Sequence, residues 1–171
     1  MKQLNPPRRL RHSDKRDGFH CGVAELDQWL MQYAWQNQRA NNAVTYVITQ
    51  TVRGADNQTE EEVVGYYALA NTYIAAMSAP PSIGRHRPRQ IPAVLLARLA
   101  TDSSAQGYGI GSALLQHAFR QVRAISELTG VAAVRVDCID EIAKQFYLHH
   151  GPFLEMPGQP LTLILPTSAL R

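Results

Sequence analysis

Residues 94–118 read VLLARLATDSSAQGYGIGSALLQHA. The apolar run Val94-Leu95-Leu96-Ala97 has the character of a strand, followed by Arg98, Leu99, Ala100 and a polar turn from Thr101 to Ala105. The hexapeptide Gln106-Gly107-Tyr108-Gly109-Ile110-Gly111 comes next. Beyond it, Leu114, Ala118, Val122 and Ile125 recur at steps of four, four and three, one apolar stripe of a helix. A helix begins with unpaired N–H groups and a partial positive charge. Glycines just ahead of it let an anion approach the backbone closely. Strand, glycine-rich turn and helix in that order predict a pyrophosphate cradle.

Spacing narrows the cradle. A P-loop requires G-x-x-x-x-G-K-[ST], and no lysine lies here. A dinucleotide fingerprint requires G-x-G-x-x-G. Counted from Gly107 and Gly109 its third position is Ser112, and counted from Gly109 and Gly111 it is Leu114. Both spacings fail.

The whole chain of 171 residues suits one domain, residues 1–171, with a full core. Hydrophobic residues make up 45% and no run of about 18 apolar residues occurs, so no membrane span is expected. The N-terminus lacks the apolar stretch of a secretory signal. Cys21 and Cys138 read as small buried residues of a protein in a reducing cytoplasm, and no Cys/His spacing suggests a metal. The net charge is +3, carried by fourteen Arg and three Lys. The basic residues cluster twice, at Lys2, Arg8, Arg9, Arg11, Lys15 and Arg16 and at Arg85, His86, Arg87 and Arg89. Arg forks suit phosphate, so a polyanion such as RNA is one partner these clusters would fit; a solvated basic surface is the other reading.

In chain order, a short edge strand is expected near Arg8–His12 and an amphipathic helix over 23–37, with Trp29 and Trp35 off its stripe. Strands are expected over 43–52 and 63–71, joined by a polar loop in which Glu60–Glu62 are solvated. Gly65 within the second strand points to a bulge or a close backbone approach. Residues 79–92 hold four prolines and read as an irregular surface loop. After the cradle helix, Gly130 is expected as its stop, then a strand over 131–137, a helix over 141–150 capped by Asp140, and a last strand over 161–165. The order predicts an α/β fold of α+β type, a mixed sheet with helices on its faces.

Group transfer between two bound substrates gains most from orientation, helped by one acid for the departing group. A tyrosine hydroxyl, with a reference pKa of about 10, is protonated at neutral pH. Tyr147 is the candidate, sharing a helix face with Ala143, while Ile142 and Phe146 form the adjacent core stripe.

Gln106, Gly109 and Gly111 also fit Gln/Arg-x-x-Gly-x-Gly/Ala, and Ala143-x-x-Phe146-Tyr147 precedes Gly151 and Phe153. In both motifs the chain resembles the GNAT family of N-acetyltransferases. The resemblance implies the GNAT acyl-CoA fold and acetyl-CoA as acetyl donor. It assigns Leu99, Ala100 and Thr101 to the pantetheine arm, and Gln106, Gly107, Tyr108, Gly109, Ile110, Gly111 and Ser112 to the pyrophosphate. It makes Tyr147 the general acid. Pro152, inserted in the usual Gly-Phe pair, alters the turn after that helix. Phe19-x-Cys21-Gly22, Leu26-Asp27-x-Trp29-Leu30, Gly65-Tyr66-Tyr67-Ala68-Leu69, Leu96-Ala97-Arg98-Leu99-Ala100 and Asp137-x-x-Asp140-Glu141 recur in that order in one subgroup, the GNAT toxins of type II toxin–antitoxin modules. That likeness implies acetylation of the α-amino group of aminoacyl-tRNA and inhibition of translation. It implies a cytoplasmic homodimer neutralised by a ribbon-helix-helix antitoxin. Arg85, Arg87 and Arg89 then become candidates for tRNA binding, with Arg98 left to a structural or antitoxin-facing role. The alternatives are an acetyltransferase for a small amine or protein N-terminus, and a non-catalytic RNA- or partner-binding module of the same fold.

Overall fold

The computed structural model describes residues 3–170; Lys2 of the first basic cluster lies outside them. The chain forms two compact units, each built from two stretches: residues up to 69 with 98–117, and 70–97 with 118 onward.

The first unit opens with two short strands, β1 (Gln3–Leu4) and β2 (Arg8–Arg9). The expected helix over 23–37 is two, α1 (Ala24–Gln32) and α2 (Ala34–Arg39), broken at Tyr33 with φ −122° and ψ −24°. β3 (Val44–Arg53) follows, rich in β-branched residues that suit a pleated surface. It pairs antiparallel with β1, with β2 and with β4 (Thr59–Ala75). The tight turn between β3 and β4 closes with Gly54 N–H donating to the Gln58 carbonyl at 2.8 Å.

β4 therefore takes in Glu60–Glu62, which are strand residues and not a solvated loop. Cross-strand partners hold them there. Glu61 accepts from the Thr49 hydroxyl at 3.0 Å and lies 3.2 Å from Arg8 and 3.5 Å from Arg11, while Lys15 reaches Glu60 at 3.8 Å. Arg8 also binds Asp14 at 2.7 Å. Much of the N-terminal basic cluster is thus neutralised by neighbouring acids. Gly65 meets both expectations: the register slips between Ile48 and Thr49 opposite Val63–Gly65, and a Cβ on Gly65 would sit 2.6 Å from Ile110. The core of this unit gathers Leu10, Phe19, Leu30, Val47, Val63 and Tyr66, with Trp29 and Trp35 packed against it.

In the second unit β4 runs on to Ala75, continuing the strand past Asn71. Residues 79–92 are more ordered than an irregular loop: they include a one-turn helix α3 (Pro81–Gly84), started by its N-terminal proline, and the first residues of β5 (Gln90–Thr101). β5 leads to the cradle helix α4 (Ile110–Leu128). Gly130 lies two residues beyond that helix without the left-handed φ expected of a glycine stop. β6 (Ala133–Asp137), α5 (Glu141–His150), β7 (Leu154–Met156) and β8 (Gln159–Pro166) complete the unit. β5 pairs parallel with β6, and β8 lies antiparallel between β6 and β7. The mixed sheet expected from the element order is present. Ile74, Ile83, Ile91, Ala133, Met156 and Ile164 form its core.

Candidate active site

The cradle is built where β5 ends. Asp102 accepts from the backbone N–H of Ser104 at 3.0 Å and of His20 at 2.7 Å, and from the Ser104 hydroxyl. Burial pushes the Asp102 carboxyl up, but these bonds outweigh it and leave the group below its ordinary value. Asp102 so caps a 3-10 turn, Ser103–Ala105, and ties the chain entering the cradle to the Phe19–Gly22 segment. Its Asp-Ser-Ser sequence is the signal that could have marked it.

Gly107 and Gly109 follow with φ of +87° and +76°. Nothing lies within 4 Å of where a Cβ would stand on either, so glycine serves the left-handed backbone and the open approach to it. Gln106 to Gly109 are exposed, whereas Ile110 is buried and seats the helix start against Gly65. The helical bond from Ala113 N–H ends on the Gly109 carbonyl at 3.0 Å. The N–H groups of Ile110, Gly111 and Ser112 precede it and have no acceptor within their own helix. Three donors at a helix N-terminus, behind two left-handed glycines, can hold a pyrophosphate.

Along β5 the paired register with β6 covers only Ala93–Leu95 against Ala133–Arg135. Leu96 and Ala97 leave that ladder although β6 continues to Asp137. Arg98 has φ +58°, unusual for a side-chain-bearing residue within a strand, and its guanidinium lies 4.5 Å over the Trp29 ring. Arg98 is exposed, and the Trp29 ring is its aromatic contact within the chain. Leu99, Ala100 and Thr101 follow it, with Ala100 buried.

In the second unit Asp140 caps α5 as expected, its carboxylate accepting from Ala143 N–H at 2.8 Å. Tyr147 is 6% exposed. Its ring meets Phe146 edge-on at 5.3 Å and Phe153 at 5.7 Å, and Phe153 in turn lies 6.0 Å from Phe119. Burial, with Cys138 adding to it, raises the Tyr147 hydroxyl above its ordinary value, so it stays protonated at neutral pH. No residue among those described accepts from that hydroxyl. The altered turn is resolved by a tight closure: Phe153 N–H donates to the Gly151 carbonyl at 2.9 Å, and the Phe153 ring still reaches Tyr147.

The expected stripe on α5 is corrected. Ile142 is 82% exposed, and the buried positions are Lys144 and Tyr147. Lys144 turns inward because Glu155 meets its ammonium at 3.2 Å. His150 Nδ1 donates to the Phe146 carbonyl at 2.8 Å and serves the helix. Cys138 is buried and Cys21 partly so, both as free thiols. Arg85, Arg87 and Arg89 are exposed in the segment after α3, and no carboxylate among the described residues pairs with them.

The Acetyltransferase (GNAT) domain family matches residues 54–151, which take in β4, the cradle and Tyr147. The chain belongs to this family. As a GNAT acetyltransferase it is 33% identical over 165 residues to the tRNA-acetylating toxin of Mycobacterium tuberculosis, covering 96% of this chain and 93% of that one. Among solved structures the acetyltransferase matches AtaT complexed with acetyl-methionyl-tRNAfMet, with a TM-score of 0.85, 26% identity, and coverage of 98% and 97%. It also matches a mutant AtaT toxin bound to the C-terminus of the antitoxin AtaR and to acetyl-CoA, with a TM-score of 0.79, 26% identity, and coverage of 98% and 95%.

Proposed function

We propose that the protein is the toxin of a type II toxin–antitoxin module, a single catalytic domain over residues 1–171 that transfers acetyl from acetyl-CoA to the α-amino group of aminoacyl-tRNA. Blocking that amine stops the amino acid from accepting or starting a peptide. The observation that carries the donor half is the cradle, a helix start behind Gly107 and Gly109 whose first N–H groups have no acceptor within their own helix. The acceptor half is supported by near-full-length similarity to a tRNA-acetylating toxin and to a toxin holding acetyl-methionyl-tRNA.

In this reading Gln106–Ser112 bind the pyrophosphate of the donor. Leu99, Ala100 and Thr101 offer backbone to its pantetheine arm, consistent with the short β5–β6 ladder. The amine nitrogen forms the new C–N bond as the C–S bond breaks, Tyr147 gives its hydroxyl proton to the leaving thiolate, and the proton that the nitrogen sheds on becoming an amide restores the Tyr147 hydroxyl. Burial among Phe146 and Phe153 keeps that proton in place until the thiolate needs it. Orientation of the two substrates supplies most of the acceleration. Arg85, Arg87 and Arg89 meet tRNA phosphates, being exposed and without a carboxylate partner among the described residues, whereas Arg8, Arg11 and Lys15 of the N-terminal cluster are engaged by acids. A ribbon-helix-helix antitoxin, a homodimer and a cytoplasmic setting belong to the same reading; an antitoxin C-terminus is bound to a similar toxin, and no helix among the described residues is long and apolar enough to cross a membrane.

The test offers radiolabelled acetyl-CoA to charged tRNA, deacylated tRNA, free amino acids and peptides. Label is expected on charged tRNA alone. Label confined to free amines or peptide N-termini would replace the toxin reading with a small-amine or protein acetyltransferase.

A further inference from the structure

The glycine-rich turn has a second face. Its Tyr108 ring is 70% exposed and, with Leu4, Ile110, Gln3, Gln50 and Ser104, lines a cavity of about 520 Å³. None of the described residues that line it is charged. Gln50 lies within β3, its backbone paired with Leu4 on one side and Glu62 on the other. It is only 9% exposed, yet its carboxamide bonds no group among the described residues. The amide lines the cavity, where a guest can meet both its donor and its acceptor.

The lining defines a ligand. A charged group would find no counter-charge there among the described residues. An aliphatic one would leave the Gln50 donor and acceptor unmet. A planar neutral ring carrying a donor beside an acceptor satisfies both at once, as a glutamine does with a nucleobase edge. Tyr108 offers its ring for stacking, and Leu4 and Ile110 offer apolar surface to the opposite face. The Ser104 hydroxyl donates to Asp102 and can only accept from a guest. The adenine of the acetyl donor carries a phosphorylated ribose, and no cation among the described residues lines the cavity to meet it. A base on an RNA strand enters while its phosphates stay outside. We propose that this cavity takes an unstacked nucleobase of the tRNA substrate, stacked on Tyr108 and read by Gln50. The proposal rests on the tRNA reading above.

The test measures tRNA binding and turnover separately with the full chain. Gln50→Leu keeps the volume and removes the amide; Tyr108→Leu, at an exposed position, removes the stacking ring. Both are first checked for an unchanged unfolding temperature. Filter binding of charged tRNA at fixed salt should weaken about five- to a hundred-fold in Gln50→Leu, with KM for acetyl-CoA unchanged. If Gln50→Leu fails to fold, the same weakening in Tyr108→Leu decides. Unchanged tRNA affinity overturns the proposal, as does a rise in the acetyl-CoA KM of Gln50→Leu without loss of tRNA binding, which would give the cavity to the donor's adenine. Acetylation of charged tRNA by the unmodified protein is scored independently, so failure of the cavity and failure of the tRNA reading are told apart.

Discussion

Tyr147 is held by rings and not by polar partners. Removing its oxygen therefore leaves the packing against Phe146 and Phe153 intact. Tyr147→Phe is expected to lower kcat by about 10²–10⁴-fold with little change in unfolding temperature. Near-normal turnover would take Tyr147 out of the mechanism. The sign of its pH dependence follows from burial. The folded hydroxyl titrates above the ordinary value of 10.0, so its contribution to stability is intact below that pH and is lost as pH rises through the higher folded value. The kcat profile should then show no alkaline limb from this acid below about pH 10. The two thiols follow the same rule at lower pH. Burial pushes Cys21 and Cys138 from 9.0 up to about 11, which cuts the thiolate fraction at pH 8 about a hundredfold. Iodoacetamide should label the native protein that much more slowly than a small free thiol, and denaturant should abolish the difference. Prompt labelling of the native protein would mean the pockets open readily.

At the scale of elements, the junction of β4 with α4 sets the cradle. Gly65→Ala would drive a methyl into Ile110 and Leu114, at 2.6 and 3.0 Å. The expected cost is about 1–3 kcal/mol in denaturant unfolding, together with a higher KM for acetyl-CoA as the helix start shifts. An unaffected KM would show the cradle to be independent of its seat. Elements whose cause is local were legible in the sequence. Asp140 and Gly151 bound α5, the 3.6-residue period drew α4, and Gly65 announced its bulge. Elements whose cause is distant were not. Glu60–Glu62 look like loop residues until Arg8, Arg11 and Thr49 are brought across from elsewhere in the chain. β7 has three residues and exists only because β8 folds back on it. Lys144 points inward against its polarity because Glu155 waits there. The site divides the same way. Gly107, Gly109 and Tyr147 could be read from spacing and motif, whereas Asp102 and Gln50 gain their meaning from groups far along the chain.

Across the whole molecule the positive charge is uneven in kind. Arg8, Arg11 and Lys15 sit beside acids, and the segment holding Arg85, Arg87 and Arg89 does not. Replacing those three by Glu should weaken tRNA binding and flatten its salt dependence, by a log–log slope of up to about 0.9 for each phosphate no longer neutralised, with KM for acetyl-CoA unchanged. Equal affinity and equal slope would clear the segment of any part in RNA binding. The two compact units also interleave along the chain, neither being one continuous stretch. During synthesis the first unit lacks part of its own make-up until residue 117 has emerged, and residues 70–97 emerge long before the rest of their unit. Phe153, Glu155 and β8, which complete the surroundings of α5, are made after that helix. In the proposed function, a nascent chain therefore cannot acetylate aminoacyl-tRNA before β8 has left the ribosome, and poses no threat to the machine producing it until then.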